Sequence, residues 1–466
     1  MYASGFSEKT YIARGGTTLD LSEKEIDELF SEALSKALSD INNAGPVIIV
    51  PPDSTRIHSR AGYITGIAAR ELGRSSKDRL GAVLPALGTH APITAADRER
   101  MFPGIPKEKF LVHNWRNDVC CLGSLPAGWV SAALEGAVNF DWPVEANKLL
   151  RKDGAFSLIL SVGQVVPHEV TGMANHTKNI FIGTGGKEAI DKSHFAGAAY
   201  GMERLMGRMN NPVRSLLDEG FRRFGSELPP ILWVLTVVGE RTNEEAAAVS
   251  SGTADPSNAA PVSDEAAKKR KNPFAVRGLF IGFGRECFEK AAELSSKVNV
   301  NILAEPVQKA IAFLAPEEFR TTWLGNKAIY RTRMAIANRG ELVIIAPGLE
   351  RFGEDRDIDT LIRKHGYRNK AEIFDRITAD PELGDNLCAA AHLIHGSSEG
   401  RFTIRYCPGP NLSRKEIESV GYEWGDLKET AAHYNINALC PGWNTADGER
   451  IFFVPNPALG LWCAKS

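Results

Sequence analysis

Four side chains able to do acid–base or anion chemistry stand just behind short apolar runs in the first half of the chain. Asp53 and Arg56 follow Val47-Ile48-Ile49-Val50 in PPDSTR, His90 follows Ala82-Val83-Leu84 in ALGTH, and His168 follows the run 156–162 in GQVVPH. Imidazole exchanges protons near neutrality, its ordinary pKa being about 6.5. Two imidazoles approaching one carbon from opposite faces could take and return protons on either side. That is the minimal apparatus for inverting a stereocentre. The competing reading of each histidine is a turn residue satisfied by backbone.

The densest stretch is 163–200, where His168, His176, Lys178 and His194 alternate with Gly172, Gly183, Gly185 and Gly186. Glycines permit close approach of backbone to a ligand. GTGGK lacks the GxxxxGK[ST] spacing of a phosphate-binding loop, and a phosphate nest there is a weak signal. Lys178 and His194 fit no zinc spacing. Gly282-Phe283-Gly284 lacks the third glycine of a dinucleotide fingerprint. His392 and His395, at i and i+3 in AAAHLIH, read as packed or capping histidines near a helix end.

Those groups need a scaffold. Ile26, Leu29, Phe30, Ala33, Leu34, Ala37, Leu38 and Ile41 recur at helical spacing over 22–42, behind a Ser22/Glu25 capping box. Asn43 and Gly45 stop that helix. Strands are predicted at 47–50, 82–84, 156–162, 231–238 and 276–281, with helices opening at Thr94/Asp97 and spanning 285–298. The alternation indicates an α/β fold with a mainly parallel sheet. Ligands of such sheets bind beyond the carboxyl ends of the strands, where Asp53, Arg56, His90 and His168 fall. Residues 243–273, rich in Ala, Ser, Pro and charge, read as a surface loop between two arms of an antiparallel pair. The domain boundary is placed near 300. Beyond it come strands at 341–346 and 402–406, short helices at 357–365 and 414–420, and a last strand at 451–454. No repeat of fixed period appears.

The 466 residues suit two or three domains. A hydrophobic share of 43% and a charged share of 24% are ordinary for a globular protein. Net charge is −2, which argues against a broad nucleic-acid or anionic-membrane surface. No apolar run approaches the roughly 18–20 residues that span a bilayer. The N-terminus lacks the hydrophobic core of a secretory signal. Seven cysteines, irregularly spaced and without CxxC, support neither structural zinc nor a disulfide framework, and a reducing cytoplasm is expected.

The motifs resemble those of the nickel-dependent lactate racemase family. The resemblance rests on DSTR at 53–56, ALGTH at 86–90, VVPHEVTGMANHTK at 165–178 and His194, with Lys178 ten residues after His168 and His194 sixteen after Lys178. It covers about 45–205 closely and the second half loosely. It implies two α/β domains with mainly parallel sheets and an interdomain active-site cleft. Residues 1–300 would be the cofactor-binding domain, with the insertion 243–273, and 301–466 the substrate-side domain, its final strand a candidate for returning to the first.

The resemblance further implies an isomerase, a racemase or 2-epimerase of a 2-hydroxy acid. Hydride abstraction and return would run through a nickel-pincer nucleotide, the pyridinium-3-thioamide-5-thiocarboxylic acid mononucleotide. Lys178 would tether that cofactor and His194 would bind nickel. His90 and His168 would be the acid/base pair, and Asp53 and Arg56 would contact cofactor or substrate. Partners would be the small-molecule acid and cofactor-maturation enzymes, with no nucleic acid and no membrane. The substrate carboxylate needs a cation, and Arg56 is one candidate. NKAIYRTRMAI at 326–336 offers Tyr330, Arg331 and Arg333. Arg331 stands where the family has Gln, and Met334 where it has a substrate-binding Lys. That departure points to an acid other than lactate, longer or sugar-derived. The competing reading of this segment is a helix with a solvated basic face, Lys327 and Arg333 being surface charges. Two other functions remain: a redox enzyme on the same cofactor, and a non-catalytic binder of a nucleotide or metal cofactor. The binder would not need both acid/base histidines.

Overall fold

The chain is described by a computed structural model over residues 8–41, 45–74, 78–241, 273–458 and 460–465. The expected surface loop 243–273 lies outside these residues except for its last position, and so does Asn43. Two six-stranded sheets organise the protein. The first runs in the order Lys9–Gly15, Phe274–Phe283, Ile231–Glu240, Leu158–Gln164, Val47–Val50, Leu80–Val83. Its last four strands are parallel, while Phe274–Phe283 pairs antiparallel with both Ile231–Glu240 and Lys9–Gly15.

The β-branched run Val47–Val50 is wholly buried because this sheet is covered on both faces. Successive side chains alternate between the faces. Ile48 and Val50 join Ile159, Trp233 and Leu235 on one side. Val47 and Ile49 join Leu160, Val162 and Val234 on the other. Helix Glu23–Ile41 covers that second face with Ile26, Phe30, Ala33, Leu34 and Ala37. It starts where Ser22 and Glu25 cap each other reciprocally.

The second sheet runs Glu423–Trp424, Thr403–Pro408, Ile336–Ala346, Val307–Phe313, Glu449–Val454, Gly442–Ala446. Every neighbouring pair is parallel except the terminal hairpin Gly442–Ala446/Glu449–Val454. Several strand pairings lie outside the sequence expectation, among them those of Val307–Phe313 at the centre of the second sheet. Lys9–Gly15 adds an edge to the first sheet, and Val119–Leu125 pairs with Trp142–Asn147. The strand at 451–454 is not the last. Leu461–Ala464 follows it and pairs parallel with Val300–Leu303, where the chain passes from one sheet to the other. It is short and turn-flanked, so local pattern carried little signal. Helix Leu387–His395 of the second half packs on helix Lys187–Tyr200 of the first, closing one side of a cleft. No helix among the described residues is long and apolar enough to cross a membrane.

Candidate active site

The cleft holds about 190 Å³ of internal space between the two sheets. Its first wall comes from the carboxyl ends of parallel strands. Val47–Val50 delivers Asp53, which begins the short helical turn Ser54–Ser59 and accepts from the Thr55 amide at 3.1 Å and the Thr55 hydroxyl at 2.6 Å. The loop after Leu80–Val83 is tied down by Ala86 N–H on the Pro51 carbonyl and Gly88 N–H on the Gly183 carbonyl. It brings His90 onto Asp53, so that the ring donates Nδ1–H to the carboxylate. Burial alone would raise the Asp53 pKa. The His90 ring, with Thr55 and Arg56, pulls it down to about 2. In the neutral form of the ring, with the Nδ1 proton held there, the lone pair is on Nε2.

His168 is held the opposite way. The two-residue pairing of Pro167–His168 with Gly172–Met173 folds the chain back, and the Val170 amide donates to His168 Nδ1 at 3.1 Å. The ring proton therefore sits on Nε2. Burial lowers the His168 pKa well below the usual value; the nearby Lys178, Arg331 and Arg56 reinforce this and Glu169 opposes it. His168 is thus a neutral donor at rest.

Lys178 sits in the short helix Thr177–Phe181, entered through Asn175 and His176 at positive φ of 68° and 58°. This is backbone that L residues rarely adopt. The buried surroundings over-determine it. The His176 ring lies 4.2 Å from Trp233 and 5.0 Å from Phe288, between their centroids, and Arg214 binds the carbonyls of Met173 and Asn175. Asn179 then donates to the Val50 carbonyl at 3.1 Å and to the Ser161 hydroxyl at 2.9 Å, fastening this helix over the strand ends. Burial, with Arg56 nearby, lowers the Lys178 pKa to about 8. His194, on helix Lys187–Tyr200, donates Nδ1–H to the Ile190 carbonyl at 2.7 Å and so keeps its Nε2 lone pair. Burial lowers its pKa. Asp53, Arg56, His90, His168, Lys178 and His194 all line the one cleft.

The second wall differs from the sequence expectation. Tyr330 lines the cleft, but Arg331 and Arg333 do not. Arg331 is 1% exposed and donates to the Pro167 carbonyl at 2.6 Å, with Glu169 at 3.7 Å. Arg333 is 2% exposed and pairs with Glu203 at 2.6 Å. Both are struts between the halves of the protein, not substrate cations, and the segment is no solvated basic face. Lys327, read as a surface charge, lines the cleft instead, together with Trp323, His392 and His395. Trp323, Lys327 and Tyr330 fall at i, i+4 and i+7, one helical face, and that spacing was the available signal. His392 and His395 are packed, as their apolar context suggested, yet they pack onto the cleft. Glu169 was also passed over. Burial would raise its pKa, but His168 and Arg331 hold it well below the usual carboxylate range.

Residues 17–204 match the family model described as the lactate racemase N-terminal domain. This match supports a lactate racemase-like N-terminal domain over residues 17–204. No curated protein matches it. Among solved structures it is similar to a protein from Thermotoga maritima, with TM-score 0.76 and 23% identity over 97% of this chain and 100% of that one. It is also similar to the lactate racemase apoprotein from Thermoanaerobacterium thermosaccharolyticum, with TM-score 0.67 and 15% identity over 98% of this chain and 94% of that one. At these identities the two structures show a shared α/β fold.

Proposed function

We propose that the protein is a racemase or 2-epimerase of a 2-hydroxy acid, working with a nickel-pincer nucleotide tethered to Lys178. The supporting observation is that an Asp53-bonded His90, a neutral His168, Lys178 and His194 share one cleft. Lys178 and His194 fit the group. The amine is in no ion pair among the described residues, and its pKa of about 8 leaves a fraction of it unprotonated and nucleophilic near neutrality. His194 Nε2 is a free imidazole donor whose other nitrogen is fixed, the usual arrangement of a metal ligand. Among the described residues no three His, Cys, Asp or Glu side chains gather around one point. A metal on His194 would therefore draw further donors from the bound group. When bound, that group supplies the acceptor for the C2 hydrogen and its electron pair.

The chain's own residues do the rest. Arg56 and Lys327 face the cleft from opposite walls and can hold the substrate carboxylate. His90 takes the C2 hydroxyl proton at Nε2, and Asp53 stabilises the imidazolium that forms. His168 offers Nε2–H to the substrate oxygen. The resting protein is thus set for the enantiomer whose hydroxyl meets His90. Starting from the other one requires the His168 proton to move to Nδ1, which breaks the bond from Val170. Maturation enzymes would have to supply the cofactor.

The test is intact mass of protein made with and without cofactor-synthesis enzymes, followed by incubation of single enantiomers in D2O. A covalent adduct absent from Lys178→Ala, and C2 inversion with hydrogen retained, are expected. Deuterium entering C2 would replace hydride return by an enolate route. An adduct persisting in Lys178→Ala would refute the tether.

A further inference from the structure

Two acidic side chains line the cleft among the described residues, and each stands beside one of the two acid/base histidines. They are not placed alike. Asp53 is hydrogen-bonded to the His90 ring and to Thr55. Glu169 Oε1 lies 3.9 Å from His168 Nε2, and its Oε2 lies 3.7 Å from Arg331 Nη2, close enough for charge and too long for a hydrogen bond. Its side chain is 19% exposed and lines the cleft. Burial would raise the Glu169 pKa, yet His168 and Arg331 keep it ionised. Arg331 also donates to the Pro167 carbonyl at 2.6 Å. One buried guanidinium thus grips both chain neighbours of His168 and keeps the carboxylate beside the ring.

The resting His168 ring is neutral, but a neutral ring cannot finish the reaction. Giving up Nε2–H would leave an imidazolate, a form out of reach near neutral pH. Both ring nitrogens must therefore carry protons when His168 delivers one. Burial opposes that charge, Lys178, Arg331 and Arg56 oppose it further, and the Val170 amide points at Nδ1. Glu169 alone among these groups favours it. Lys178, His194, Lys327, Tyr330, His392 and His395 also lie within electrostatic reach of Glu169, and none of them is an anion. We propose that Glu169 is a positioning residue for His168, its carboxylate supplying the counter-charge of the imidazolium as Asp53 does for His90. One extra proton then serves both histidines. His90 takes the hydroxyl proton and becomes imidazolium beside Asp53. Imidazolium His168 gives its Nε2 proton to the substrate oxygen and returns to neutrality beside Glu169, and the reverse reaction moves the proton back. The inference rests on the racemase reading above, which requires a proton donor on each side.

The first measurement needs no cofactor. In protein made without the cofactor-synthesis enzymes and 13C-labelled at histidine Cε1, the His168 signal is assigned by its loss in His168→Gln. In Glu169→Gln the ring should begin to protonate at a pH lower by at least about one unit than in wild type. Glu169→Asp, which keeps the charge at a longer distance, should fall between the two. The second measurement uses enzyme whose Lys178 adduct is verified by mass, with single enantiomers of a 2-hydroxy acid that wild type inverts. Glu169→Gln should lower kcat/KM about 10–100-fold, equally for both enantiomers, and raise the D2O solvent isotope effect on kcat as proton delivery becomes limiting. A His168 titration that does not move in Glu169→Gln would overturn the inference and leave the racemase reading intact, and so would activity within threefold of wild type. If Glu169→Gln does not fold, an unmoved titration in Glu169→Asp decides the matter the same way. Adduct-bearing wild-type enzyme that inverts no 2-hydroxy acid would overturn the racemase reading and this inference together.

Discussion

On the first wall of the cleft each of the three imidazoles named for the chemistry has a partner that fixes its proton: Asp53 for His90, the Val170 amide for His168, the Ile190 carbonyl for His194. On the second wall Lys327 and Tyr330 have no ion-pair or hydrogen-bond partner among the described residues, and His395 Nε2 is unpartnered. Proton transfer needs groups oriented before the substrate arrives, because reorientation during reaction adds to the barrier. Recognition needs groups whose bonds are completed by the substrate, so that the wrong ligand leaves them unmet. On the proposed reading, one wall is preorganised for chemistry and the other is left open for selection.

The largest effect is expected at Lys178. If Lys178 is the proposed tether, Lys178→Ala should reduce turnover at least about a thousandfold and remove the adduct, since no other cleft residue could replace it. Turnover within tenfold of wild type would remove the residue from the chemistry. Asp53→Asn should lower kcat by about 10²–10⁴, because the amide cannot stabilise the imidazolium or hold Nδ1–H in the same way. KM should change little, and steady-state kinetics with each enantiomer separates the two parameters. A loss smaller than threefold would mean that His90 takes no proton.

A change on the other wall should act differently. Lys327→Met is expected to raise KM about 10–100-fold with a smaller effect on kcat, as loss of a charged partner for a carboxylate does. A kcat defect with unchanged KM would place Lys327 with the first wall. The smallest effect is on stability. Burial holds the pKa of both His392 and His395 at about 3 in the folded protein, against about 6.5 unfolded. The unfolded chain therefore binds more protons as pH falls below 6.5, and stability falls with it. Above 6.5 this contribution is fully present. Each histidine costs about 1.4 kcal/mol per pH unit between those limits. His395→Leu should accordingly flatten the drop in Tm between pH 7.5 and 5.5. An unchanged slope would show that the ring is protonated in the fold.

Much of the first sheet was legible because its signals are local. A β-branched run such as Val47–Val50 followed by Pro-Pro, or FSLILSV followed by a Gly- and Pro-flanked turn, states both a strand and its end. The edges were not legible. Lys9–Gly15 and Leu461–Ala464 are strands because distant partners supply their hydrogen bonds. The second wall was misread for a related reason. In NKAIYRTRMAI, three cations within seven residues look alike in sequence. Their fates diverge because Pro167 and Glu169 come from one distant loop and Glu203 from another, so Arg331 and Arg333 become struts while Lys327 is left facing the cleft.

The order and spacing of Asp53, Arg56, His90, His168, Lys178 and His194 are properties of the sequence alone, and so is their attachment to strand ends, because turns and β-branched runs act over a few residues. Which nitrogen of each histidine carries the proton, and which cation of the second half meets the cleft, were decided only in the tertiary structure. Those outcomes depend on carbonyls, amides and carboxylates contributed from elsewhere, near in the chain or far, and brought close only by folding.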